Sequence, residues 1–147
     1  MAKILYLGGE NHNMKVFSAL LVLLILASCG KYDDGPGLSF YSKKSRMSNH
    51  WKLETATANG ESWTPYYPLK EMVLNTDFTQ TTTFRTLNVP NVMEGEWKWT
   101  RAKEYMELVF DSGLTQRFEI KKLKKDELRL SIKSNDTTYV LDFITFR

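Results

Sequence analysis

Cysteine is nearly absent from this chain: Cys29 is the only one in 147 residues. A lone thiol excludes an intrachain disulfide and any cysteine-rich metal site. Histidine is almost as scarce, with His12 and His50 alone. That leaves little for acid–base relays or for zinc, whose sites gather several ligands. The longest apolar run, residues 16–26, falls well short of the roughly 20 residues that cross a bilayer as a helix. Neither sign of charge dominates, since 20 Lys and Arg face 17 Asp and Glu. Such a surface sets up no long-range field to steer nucleic acid. A Gly-rich phosphate loop is missing too. Three of the four prolines (Pro65, Pro68, Pro90) fall in predicted connections, and Pro36 lies in a polar stretch near the N-terminus.

The N-terminal region is where the sequence speaks most clearly. Lys15 supplies a positive charge, residues 16–26 an apolar stretch, and Leu26-Ala27-Ser28-Cys29 small residues leading into the cysteine. This order matches a signal peptide and resembles the lipobox of bacterial lipoproteins. The resemblance implies cleavage before Cys29, with its sulfur carrying a diacylglycerol and palmitate among the acyl chains. The alternative is an ordinary signal peptide in which Cys29 is incidental. Residues 1–13 make an odd signal-peptide start and read as an upstream extension, with translation beginning at Met14. The expected organisation is therefore a signal peptide over 1–28, a lipidated tether and connecting segment over 29–49, and a folded domain over 50–147. Without Lys3, Lys15 and Glu10, the chain from Cys29 onward has 18 bases against 16 acids. Residues 30–37, rich in Gly and Asp, read as a flexible tether. Lys31, Asp33 and Asp34 resemble the lysine-plus-acid signal that some bacteria use to display lipoproteins on the surface, although Tyr32 interrupts it. An outer-membrane location follows, with the cell surface favoured over the periplasmic face.

Beyond residue 50 the pattern is β throughout. Residues 51–55 alternate apolar and polar, and Asn59-Gly60 is a hairpin signal. Residues 71–76 and 79–86 form an expected pair about Asp77-Phe78. Residues 89–94 read as a longer loop, and 96–100 place Trp97 and Trp99 on one face. Then come 105–110, 114–123, 128–133 and 137–146, joined by short polar turns. The alternation of Leu128, Leu130 and Ile132 with Arg129, Ser131 and Lys133 marks one buried and one wet face. Residues 38–49 are read as a connector holding a short strand or a turn of helix against one end of the domain. The expected fold is all-β: an antiparallel up-and-down meander of about eight strands. Closing it into a barrel removes the exposed edges, and eight strands leave room for side chains or one small ligand. Closure also sets the last strand's end beside the first strand's start, pairing Arg147 with Trp51 as a cation–π cap or leaving that arginine in water.

The chain resembles the lipocalin-like lipoproteins of Gram-negative bacteria. The residues that carry this are Asp34-Gly35-Pro36-Gly37, the run Ser42-Lys43-Lys44-Ser45-Arg46, and Asn49-His50-Trp51-Lys52 opening the first strand. Lipocalins carry Gly-x-Trp there, with the tryptophan plugging the closed end; Asn49 stands where the glycine would be. A second Gly-x-Trp, Gly95-Glu96-Trp97, opens a middle strand. The resemblance implies a lipocalin-like (calycin-type) barrel and a membrane partner held through Cys29. It supplies no activity, because fold alone does not.

Catalytic residues, cofactors and metal sites are not expected. His50 reads as structural, and Glu54, Glu96, Glu107, Glu119, Glu127 and Asp142 alternate with apolar residues and should face solvent. Lys121-Lys122-Leu123-Lys124-Lys125 straddles a turn, either as plain solvated surface or as a contact to anionic lipid or glycan. The candidate ligand-binding residues are aromatic: Trp97, Trp99, Phe118, Tyr139 and Phe143 on inward faces, with Gln116 as the inward polar group. Trp63, Tyr66 and Tyr67, in a proline-bounded loop, would form a rim together with residues 89–94. Two functions stay open, for a chain expected to be a monomer that binds no nucleic acid. One is binding a small apolar or amphipathic ligand. The other is a structural or interaction role with a filled core, binding glycan or protein through surface loops.

Overall fold

The computed structural model describes residues 41–146. The expected signal peptide and tether, with Cys29, and Arg147 lie outside the described residues. A short helix, α1 (Lys43–Met47), comes first, started by Ser42, whose hydroxyl accepts from the Ser45 N–H at 3.0 Å. Such an oxygen satisfies one of the orphan donors at a helix start. Nine strands follow: β1 (His50–Ala58), β2 (Glu61–Ser62), β3 (Leu69–Leu74), β4 (Thr79–Thr86), β5 (Val89–Thr100), β6 (Tyr105–Phe110), β7 (Thr115–Leu123), β8 (Glu127–Ser134) and β9 (Thr137–Thr145).

Each strand pairs antiparallel with its sequence neighbour, except that β2 sits as a short flap on β1 and β3 pairs with β1 directly. The last strand returns to the first, from Trp51 opposite Thr145 to Ala58 opposite Tyr139. Eight strands (β1 and β3–β9) therefore close into a barrel, as the alternation predicts. Register shifts at Leu53/Thr55, Leu69/Glu71 and Ile120/Lys122 add the local twist that lets a flat sheet curl. The two-residue turns at Asn59-Gly60 and Leu87-Asn88 have positive φ at both positions, the handedness that tight hairpins require.

The barrel has two unlike ends. One holds α1, the start of β1, the end of β9, and the turns at 75–78, 101–104 and 124–126. The chain closes this end with its own helix: Trp51 Nε1 donates to the Met47 carbonyl at 2.8 Å, and the buried Arg46 guanidinium donates to the Leu123 carbonyl at 2.7 Å. Asn49 Nδ2 adds a bond to the Lys125 carbonyl. Of the two expectations for residues 38–49, the helical turn is the one formed. The other end is uncovered among the described residues, ringed by the 59–68 connection and the turns at 87–88, 111–114 and 135–136.

Residues 89–94 differ from expectation: they are strand, paired in register with β4 from Val89 opposite Thr86 to Glu94 opposite Thr81. Pro90 looked like a strand breaker, but β6 pairs with β5 only from Gly95 onward. The outer edge at Pro90 therefore has no ladder bond to lose, and proline is tolerated on such an edge. The result is a two-stranded arm rising past the open end.

Candidate functional site at the open end

Alternation along each strand sends Trp51, Leu53, Met72, Trp97, Met106, Leu108, Phe118, Leu130, Leu141 and Phe143 into one contiguous core. Phe118 is 0 % exposed, and Trp97 and Phe143 are each 1 % exposed. A void large enough for water would appear as accessible surface on these walls, so the interior around them is filled. In this structure all three are packed in the core rather than lining a cavity. Trp97 belongs to the closed end, where its Nε1 donates to the Asn75 carbonyl at 2.9 Å. Phe78 packs on it at 5.0 Å between ring centroids, and Trp99 meets it edge-on at 5.3 Å. Trp99 is thus separated from the mouth as well.

The open end does bring the remaining candidates together. The segment after β2 is pinned to β1: Trp63 N–H donates to the Ala56 carbonyl at 2.7 Å, and the Thr64 hydroxyl accepts from the Ala56 N–H at 2.9 Å. A turn follows, with Tyr66 and Tyr67 N–H groups both donating to the Trp63 carbonyl. It drops Tyr67 onto Tyr139, 5.4 Å between centroids and tilted by 53°. Phe84 packs edge-on against Phe110 at 5.8 Å. Tyr67, Phe84, Met93, Ile132 and Tyr139 are partly buried and rest on the core. Above them, Trp63 and Tyr66 form a tilted pair at 4.9 Å, 41 % and 71 % exposed.

Gln116 projects inward as expected, and its Oε1 is buried without a hydrogen-bond partner. The sequence reading missed two further inward polar residues, Gln80 and Thr82, which are 2 % and 0 % exposed. The Thr82 hydroxyl donates to Gln80 Oε1, while Gln80 Nε2 has no partner. The signal was available: period two from the inward Phe84 puts Thr82 and Gln80 on the same face.

Burial, with a contribution from the Tyr139 phenol, pushes the Tyr67 hydroxyl up to about 12. Because the raised value belongs to the folded state, its contribution to stability is complete below pH 10 and is lost as pH climbs from 10 toward 12. We expect Tyr67 to account for about 2–3 kcal/mol of alkaline destabilisation. Urea midpoints at pH 9 and 11 check this: Tyr67→Phe should fall measurably less than the parent between those two values.

Outside the mouth, a groove of about 530 Å³ runs along the rim between Tyr66, Pro68, Lys70, Arg85 and Leu87. The Lys70 ammonium donates to the Thr64 carbonyl at 3.1 Å; partial burial, then the nearby Arg85 charge, lowers its pKa. His50 lies at the closed end on the outer face, 3.3 Å from the Glu71 carboxylate and stacked on Phe146 at 4.6 Å. Glu107 lies between Lys98 and Arg117, and Asp142 accepts from Arg129 at 2.7 Å, both on the wet face.

No family model matches this chain, and no curated protein does either. Among solved structures it is similar to a lipocalin-like protein from Bacteroides uniformis, with a TM-score of 0.51. The fold is lipocalin-like. The two sequences are 12 % identical, and the match covers 69 % of this chain and 99 % of the other. At that identity the likeness speaks to the fold alone. In this lipocalin-like barrel the helix-sealed end and filled centre leave the mouth as the one place where inward side chains meet solvent among the described residues.

Proposed function

We propose that this chain is an outer-membrane lipoprotein, anchored through an acylated Cys29 and displayed at the cell surface, whose barrel mouth binds a small apolar or amphipathic ligand. The observation that supports it most is the half-buried ring of Tyr67, Phe84, Met93, Ile132 and Tyr139 above a solid core. Apolar walls with a few inward polar groups are what small-ligand sites consist of, and the Gln116 amide, its Oε1 without a partner, supplies such a group. A filled centre limits the ligand to a short chain or a single ring lying in the mouth. The reading includes no catalytic step.

Decanoate is the probe of choice, titrated into the protein by calorimetry. Saturable binding is expected, weakened about tenfold by Tyr139→Ala, which removes roughly one aromatic contact. Heat indistinguishable from dilution would refute mouth binding. A second reading rests on the exposed Trp63–Tyr66 pair, whose tilted rings suit a sugar face or a protein loop. Quenching of Trp63 by an oligosaccharide, with no response to decanoate, favours that one. Mass spectrometry of the N-terminal peptide decides the anchor separately.

A further inference from the structure

Charge is sorted between the two ends of the barrel. Outside the strands, the helix-sealed end carries Lys43, Lys44, Arg101, Lys103, Lys124 and Lys125, besides the buried Arg46, against Asp77, Glu104 and Asp126. The open-end turns carry Asp111 and Asp136 and no base, while the strand-end Lys70 and Arg85 stand on the rim groove beside them. At the sealed end Glu127 is shared by Lys122 at 3.1 Å and Lys124 at 3.3 Å, so one acid meets two bases.

The exposed aromatics at this end follow a second pattern. Tyr41, Phe78 and Phe146 are 50 %, 37 % and 51 % exposed. Each has a lysine ammonium over its ring: Lys125 at 4.9 Å, Lys44 at 4.2 Å and Lys52 at 5.5 Å respectively. An aromatic body with a cationic head beside it suits a membrane–water boundary, where rings sit at headgroup level and amines reach phosphate. The chain also enters the domain here, through Tyr41 and Ser42 into α1.

From these observations we infer that the helix-sealed end docks flat on an anionic phospholipid surface. The inference rests on the anchor reading, since residues 29–40 extended reach at most about 40 Å and keep this end near the bilayer. Surface potential acts only within roughly 8–10 Å at physiological salt. A tether alone therefore leaves the domain free to tumble, and the lysines supply the orientation. Docked this way, the mouth points away from the membrane with its acidic turns outermost.

Hydrogen exchange tests it on protein isolated from cells expressing the full coding sequence. The protein is mixed with vesicles of phosphatidylcholine alone or with phosphatidylglycerol added. Amides at 43–48, 101–104 and 124–126 are expected to slow several-fold only when phosphatidylglycerol is present, while those at 87–88, 111–114 and 135–136 stay unchanged. Lys103→Glu with Lys125→Glu should remove the slowing, each lost cation lowering affinity about fivefold, and should leave the melting temperature near the parent's. No slowing, equal slowing at both ends, or slowing that survives the reversal overturns the inference. Flotation with pure phosphatidylcholine reports the anchor by itself. A protein that fails to float refutes the anchor, and the exchange comparison still judges the docking.

Discussion

Gly95→Ala is expected to cost about 4 kcal/mol or more, close to the full stability of a small domain. Gly95 lies inside β5 with φ +156°, between Gln80 of β4 and Phe110 of β6. A Cβ built there would sit 2.1 Å from the Val109 carbonyl oxygen and 2.8 Å from the Phe110 Cα. Both are backbone atoms of the neighbouring strand, so no rotamer change relieves the clash, and two strands must separate. Gly113 is the control. Its φ of +85° is also unfavourable for a side chain, but nothing lies within 4 Å of an added Cβ. Gly113→Ala should therefore cost only the conformational penalty, about 1–2 kcal/mol. Urea denaturation followed by circular dichroism compares them. Equal costs would mean that β5 and β6 do not approach as described.

Trp51→Ala is the second large effect, expected at about 3–5 kcal/mol for loss of a fully buried ring. Trp51 is 0 % exposed, and its indole N–H holds the carbonyl of Met47, itself 0 % exposed. The residue therefore acts twice, filling the base of the barrel and fastening the helix that seals it. Trp51→Phe separates the two roles. It keeps most of the packing and leaves the Met47 carbonyl unpaired, which costs about 1–3 kcal/mol. In the Phe variant, amide exchange should accelerate across 43–48 while the strands stay protected. Should both variants lose the same stability, the hydrogen bond to α1 contributes nothing.

The barrel was legible because its strands obey one rule with little interference. The alternation in β8, the Asn-Gly turn after β1 and the aromatic spacing in β5 each identify an element locally. Closure follows from the need to hide edges, and the β1–β9 ladder supplies it. The reading was poorer where meaning depends on what stands across the barrel. Pro90 is compatible with a strand only because β6 ends before reaching it, which no local pattern reveals. Gly95 reads as the start of a short motif; its requirement for hydrogen in place of a side chain comes from Val109, fourteen positions on. Trp97, Phe118 and Phe143 were rightly placed inward. Whether an inward ring lines a cavity or fills it depends on the summed volume of all eight strands, and here the centre is full. Gln80 and Thr82 escaped notice because Thr is also the commonest kind of residue on the outer face of β4.

The ladder between β1 and β9 also governs the order of assembly. Every other pairing joins strands close in sequence, and such hairpins form early because little loop entropy opposes them. The seam unites β1 with β9, so it cannot exist before β9 has been made. Until that moment Trp51 has no Thr145 opposite it, and two bare strand edges stand exposed. A chain lacking β9 would keep the edges of β1 and β8 unpaired, the kind of exposed edge that templates aggregation.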